Sequence, residues 1–231
     1  MQLYLIPTWL APNTAQMLPI EFIKEAVQDM QYFLVENERT ARRFLSDLGL
    51  GLEIRSLNFL LVDKKTKPRK IAEYFEQIPK GSKVGVMSEA GVPCVADPGS
   101  LVVAYAHQQN WEVIPIPGPS SLFLALMGSG FQGQKFSFHG YLPIESREAG
   151  IRLKKIEERA NKGETQIFME TPYRNNQLLR LMCEQLHPET KLCVASNLTA
   201  PDQYLKTMSI AQWRKQKVDL HKKPTIFVVG E

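Results

Sequence analysis

The alternation of two hydrophobic periods along this chain limits its fold more than any other feature. Short runs rich in β-branched and aromatic residues, such as 2–8 (QLYLIPT), 31–37 (QYFLVEN) and 83–88 (KVGVMS), read as strands. Between them lie segments of helical period, such as 18–30, 39–49 and 67–78. Strands alternating with helices predict α/β layers around a largely parallel sheet. The region 52–60 reads as a further strand, and 100–110 and 111–116 as the next helix and strand. Pro and Gly then interrupt at 117–121 (PGPSS), and a second alternating series runs to the end. These signals predict two α/β domains, 1–117 and 118–231.

Composition sets outer bounds on function. With 44% apolar and 23% charged residues, the chain can bury a core and does not read as disordered. A formal charge of +4 permits a polyanionic partner without requiring one. Cys94, Cys183 and Cys193 are odd in number and far apart, and no Cys/His set has metal-ligand spacing. A reduced, cytoplasmic setting without a metal is therefore expected. No stretch approaches the roughly 20 apolar residues of a membrane span, so no membrane partner is expected.

The segment 84–100, VGVMSEAGVPCVADPGS, stands out as a connection. It holds three Gly, two Pro, two carboxylates and two Ser directly after a predicted strand. In open α/β sheets ligands collect at the carboxyl ends of strands. Asp97-Pro98 reads as a helix N-cap followed by Pro at the first helical position. Ser88-Glu89-Ala90-Gly91 offers small residues, backbone acceptors and an anion, which suit hydroxyls, an ammonium or a sulfonium. Neither GxxxxGK[ST] nor GxGxxG occurs, which argues against an NTPase or a classical dinucleotide enzyme.

SEAGVPCVADPG, then VIPIPGPSS, then FHGYLP, in that order, resembles the tetrapyrrole-methylase superfamily of S-adenosylmethionine (SAM)-dependent methyltransferases. The nearest branch is the ribosomal RNA ribose 2′-O-methyltransferases. LYLIPT, VENERTARRFL, IFMETPYR and KPTIFVVGE are similar to other segments of that branch, so the likeness spans nearly the whole chain. It implies two α/β domains enclosing SAM in a cleft between them, within a homodimer. It also implies SAM contacts at Pro7, Ser88, Glu89, Ala90, Val92, Ser120 and Ser121, and at Met169, Asn197, Leu198, Pro224 and Thr225. Arg39 and Arg174 match family arginines that could orient a phosphate or carboxylate. The loop 7–19 departs from the branch, gaining Trp9 and two further Pro, and Glu89 stands where the branch has Asp.

A ribose hydroxyl is a poor nucleophile, so a general base is sought among the acids at strand ends. Glu36, Glu38, Glu89 and Glu170 are the candidates, each open to a second reading as a salt bridge or cap. The run KKTKPRK at 64–70, with Arg42 and Arg43 nearby, reads either as a basic rim for RNA or as a solvated loop. Trp9 and Tyr173 are candidates for base stacking. His139 reads as structural or substrate-lining. The function expected is methyl transfer to an RNA ribose 2′-hydroxyl. The alternatives are methylation of a tetrapyrrole or other small molecule, and a SAM-binding module without turnover.

Overall fold

Five apolar runs of the first half become the strands of one all-parallel sheet. They are β1 (Gln2–Leu5), β2 (Tyr32–Val35), β3 (Asn58–Leu61), β4 (Lys83–Met87) and β5 (Glu112–Pro115), in the order β3-β2-β4-β1-β5. The computed structural model describes all 231 residues and divides them into two units, Met1–Ser120 and Ser121–Glu231.

In the first unit, α1 (Ile20–Val27) and α2 (Glu38–Asp47) cover one face of the sheet, where Phe33, Val35 and Met87 meet Ile23, Phe44 and Leu45. The other face carries α3 (Pro68–Glu76) and α4 (Ser100–Gln108), with Leu34, Val84 and Val86 against Ile71, Phe75, Val102 and Ala106. Alternate residues of one strand thus serve two cores, and strands buried on both faces read as continuous apolar runs. The chain steps outward from β1 to β3 over one face and returns to β5 over the other. Neighbouring β1 and β4 therefore send their loops in opposite directions, which is where such sheets open a crevice.

The second unit departs from the expected parallel sheet. Its strands are β6 (Phe136–Tyr141), β7 (Thr165–Met169), β8 (Lys191–Ser196), β9 (Tyr204–Ser209) and β10 (Thr225–Gly230), in the order β6-β7-β10-β8-β9. Only β6 and β7 pair in parallel; the other three pairings are antiparallel. The last strand inserts between β7 and β8, a choice that local alternation does not encode. α5 (Ser121–Ser129) packs on one face through Leu122, Ala125 and Leu126. The other face is covered by α6 (Ser146–Ala160), α7 (Asn175–Gln185) and α8 (Ile210–Trp213).

Two local expectations need correction. The predicted strand at 52–60 begins instead as a 3-10 turn, Ile54–Ser56. There the Ser56 hydroxyl and amide both bond Glu53 O, at 2.8 and 2.9 Å, an alternative to ladder pairing. Asp97 is not the N-cap of α4, which begins after Gly99; its carboxylate accepts from Cys94 N at 2.8 Å and Gly99 N at 2.7 Å. It braces the loop rather than the helix.

Candidate functional site

The parallel ladder brings the ends of β1, β2, β4 and β5 to one edge of the first unit, and backbone bonds lace their loops together. Ile6 N donates to Val86 O at 2.9 Å, Thr8 N to Gly91 O at 3.0 Å and Val92 N to Pro119 O at 3.0 Å. Glu36 N donates to Met87 O at 3.2 Å, and Glu89 N donates to Glu36 Oε2 at 3.2 Å. Ser88 Oγ turns back onto Ala90 O and Gly91 O at 3.3 and 3.4 Å. Pro7, Glu36, Ser88, Glu89, Ala90 and Val92 thus join one loop cluster, which Pro119 ties to Ser120.

Two glycines permit this lacing. A Cβ on Gly118 would stand 2.1 Å from Pro7 Cβ and 2.6 Å from Pro7 Cγ, against a ring that cannot swing away. Gly91 has φ +77, and its Cβ would meet Pro119 O at 2.9 Å. Gly118→Ala is expected to destabilise the protein by about 1–3 kcal/mol through overpacking. Urea unfolding checks this, and a midpoint equal to wild type would show that the loops yield. The same segment is strained, because Cys94 (φ +70) and Ala96 (φ +64) are left-handed without being glycine. Such strain concentrates at functional loops.

The electrostatics of this edge are anionic. Glu36 is held above the ordinary carboxylate value, chiefly by partial burial and further by the charges of Asp97 and Glu89. The Glu89 amide and the Lys64 charge oppose the rise. Burial also raises Asp97, against its bonds from Gly99 and Cys94. Cys94 is pushed up to about 12 by burial and by Asp97, so its thiol is no nucleophile near neutrality.

Thr8 was missed by sequence reasoning. It is fully buried, and its hydroxyl has no protein partner. Its position directly after Pro7, in the LYLIPT segment, was the only available signal.

In the second unit, β10 starts where β7 and β8 end, and this gathers a second set. Asn197 N donates to Pro224 O at 2.9 Å. Thr225 Oγ1 donates to Lys223 O at 2.9 Å and bonds Ser196 Oγ at 3.0 Å. Met169 lies opposite Ile226, and Leu198 is buried in the same hydrophobic cluster. Ser121 is the first residue of α5. Asn175 and Thr199 were also missed. Asn175 is fully buried and donates to Lys223 O at 2.7 Å, leaving its carbonyl oxygen unpartnered. Thr199 has φ +73 and a buried, unpartnered hydroxyl.

Other expected roles sort by partner. Glu170 is buried, accepts from Thr171 N at 2.6 Å and pairs with Arg174 at 3.0 Å, so each oxygen already has a protein partner. Arg174 also donates to Ile144 O at 3.3 Å. Arg39 is exposed and makes no ion pair. Trp9 is no stacking platform: it is buried, edge-on to Phe44 at 4.9 Å, so the start of the divergent 7–19 loop turns inward. Tyr173 is exposed. His139 sits in a structural chain. A guanidinium only donates, so Arg152 donates to its Nδ1 at 3.0 Å and Nε2–H donates to Gln166 Oε1 at 2.7 Å. Burial and two nearby arginines keep it below its usual value.

Three carboxylates share the first edge, with carbonyls of a Gly-containing loop and an orphaned buried hydroxyl. The chemistry of this donor set suits a cationic, hydroxyl-bearing small molecule, and the residues present fit the sulfonium of SAM.

The sequence profile described as Tetrapyrrole (Corrin/Porphyrin) Methylases matches residues 38–213. The chain belongs to that family. It is 29% identical over 188 residues to "Ribosomal RNA small subunit methyltransferase I" of Vibrio cholerae, covering 81% of this chain and 62% of that one. Against the protein of the same name from Buchnera aphidicola it is 24% identical over 208 residues, covering 89% and 71%. The chain thus spans about three fifths of the Vibrio relative's length. The crystal structure of the methyltransferase CobJ superposes with a TM-score of 0.64 at 17% identity, covering 100% of this chain and 93% of that one. No helix is long and apolar enough to cross a membrane.

Proposed function

We propose that this protein is a SAM-dependent methyltransferase that methylates a ribose 2′-hydroxyl of ribosomal RNA. The observation that carries the reading is the anionic loop cluster, in which Glu36 holds the Glu89 amide beside a Gly91 turn tied to Pro7-Thr8 and Pro119. Bound there, SAM supplies an electrophilic methyl group on a cationic sulfur. Ser88, Glu89, Ala90 and Val92 present acceptors to it, and Thr8 offers a hydroxyl that no protein group uses. Met169, Asn197, Leu198, Pro224 and Thr225 are the contacts that we assign to the second unit, with Ser120 and Ser121 where the units join in sequence.

Glu36 is the proton acceptor in this reading. A raised carboxylate is a stronger base than an ordinary one, and it takes the proton that the substrate hydroxyl gives up. Glu170 is not, since Arg174 already occupies it. RNA as the substrate class is supported by the names of the relatives. The reading carries with it a homodimer and a cytoplasmic setting.

The test is methyl-tritiated SAM with small-subunit ribosomal RNA from cells lacking the gene. Label is expected in RNA, within alkali-resistant dinucleotides, because a methylated 2′-oxygen cannot attack the adjacent phosphate. Label that enters a tetrapyrrole and no RNA, or no label anywhere, would overturn it.

A further inference from the structure

Resting on that reading, we infer that the turn after β3 and the first turn of α3 form the surface that contacts the RNA phosphates, with Lys65 and Lys67 as its free cations. Residues 63–73 hold five cations against Asp63 and Glu73, a net +3. The whole chain carries +4, so almost all of its excess positive charge lies in these eleven residues. That is a focused field rather than a diffuse basic surface.

The other expected basic groups are occupied. Arg42 binds Glu38 at 2.7 Å and Ile54 O at 2.8 Å while lying 4.4 Å over the Phe59 ring, and Arg43 faces Asp47 at 3.8 Å. Within the surface, Arg69 and Lys70 share Glu73 at 3.3 and 3.2 Å. Lys65 and Lys67 are exposed and make no ion pair.

Position joins this surface to the site. β3 runs parallel to β2, so the 62–67 turn leaves the sheet at the end where Glu36 stands, and the Lys64 charge acts on Glu36. The turn is firm: Asp63 Oδ1 accepts from Lys65 N and Thr66 Oγ1, both at 2.9 Å. Beside it lies an open depression of about 390 Å³ lined by Lys65, Thr66, Lys67, Arg69, Lys70 and Glu73. Ample room, surplus charge and a shared sheet end point to a strand whose phosphates pass over 64–70 while one ribose reaches Glu36.

The experiment titrates a fluorescent small-subunit ribosomal RNA fragment at several salt concentrations, with calorimetry of SAM binding in parallel. Lys65→Ala/Lys67→Ala is expected to reduce the slope of log K against log salt by about 1.4–1.8, since each phosphate contact contributes about 0.7–0.9. SAM affinity is expected to stay at the wild-type value. Lys215→Ala/Lys217→Ala, equal in charge but in the second unit, is expected to keep the wild-type slope. An unchanged slope in the first variant, or an equal fall in the second, overturns this surface while leaving the methyltransferase reading intact. Wild-type protein that binds SAM but no RNA overturns both.

Discussion

Glu36→Gln is expected to lower methyl transfer by about 10²–10⁴-fold, the usual contribution of a positioned general base, while the fold persists and SAM still binds, more weakly by the loss of one of three nearby negative charges. The amide keeps an oxygen to accept from Glu89 N, so the bond between β2 and the 88–92 loop survives. Proton uptake is lost. In wild type, kcat/KM should rise with pH through a value above 4.5, the ordinary carboxylate figure, because burial, Asp97 and Glu89 hold Glu36 up. The variant should lack that acid limb.

Stability supplies a second readout of opposite sign. A carboxyl raised in the fold binds protons more tightly than in the unfolded chain, so its contribution is present at low pH and lost as pH rises through the folded value. Glu36→Gln should therefore equal or exceed wild type in stability at neutral pH, with the difference vanishing in acid. A variant that turns over within threefold of wild type would remove Glu36 as the base. One that loses SAM binding as well would assign it a structural role.

Arg174→Ala is expected to destabilise the protein by about 2–3 kcal/mol, read as a shift in denaturant midpoint at unchanged slope. Its partner Glu170 has a side chain only 3% exposed, and removing the guanidinium leaves a buried charge with one amide donor. The figure sits below that for fully buried pairs because Arg174 itself keeps 27% of its exposure. The double variant Arg174→Ala/Glu170→Gln should recover most of the loss, as removal of both charges relieves the penalty. If Arg174 instead serves only a substrate, stability will not move and KM alone will rise.

Local chemistry made much of the architecture legible. A side chain closes the first turn at two helix starts: Asn37, expected as the end of a strand, accepts from Thr40 N at 3.2 Å, and Ser209 and Gln212 form a capping box. The strands of the first unit were readable because burial on both faces leaves unbroken apolar runs. The turn at 54–56 was misread because Leu52, Ile54 and Leu57 still pack inward, which supplies strand-like hydrophobicity without a ladder. Trp9 misled for a related reason: an aromatic in a divergent loop gives no local sign of whether it faces solvent or Phe44.

The candidate site divides along the same line. Ser88, Glu89 and Ala90 are contiguous, and small residues with an acid after a strand carry their meaning locally. Glu36 gains its from residues more than fifty positions away, once parallel pairing sets β2 beside β4. Thr8 and Asn175 are noticeable only because nothing bonds one polar atom of each, a fact that exists only in a packed interior.

The amino-acid sequence by itself determined the alternating elements, the punctuated 84–100 loop and the concentration of positive charge at 64–70, because periodicity, turn chemistry and charge are properties of neighbouring residues. Tertiary structure alone decided the mixed sheet of the second unit, the burial of Glu170 with Arg174 and the elevation of Glu36. The sheet order and the Glu36 environment depend on which distant groups share a low-dielectric space, and strand order sets that, whereas Glu170 and Arg174 are four residues apart and only their burial is tertiary.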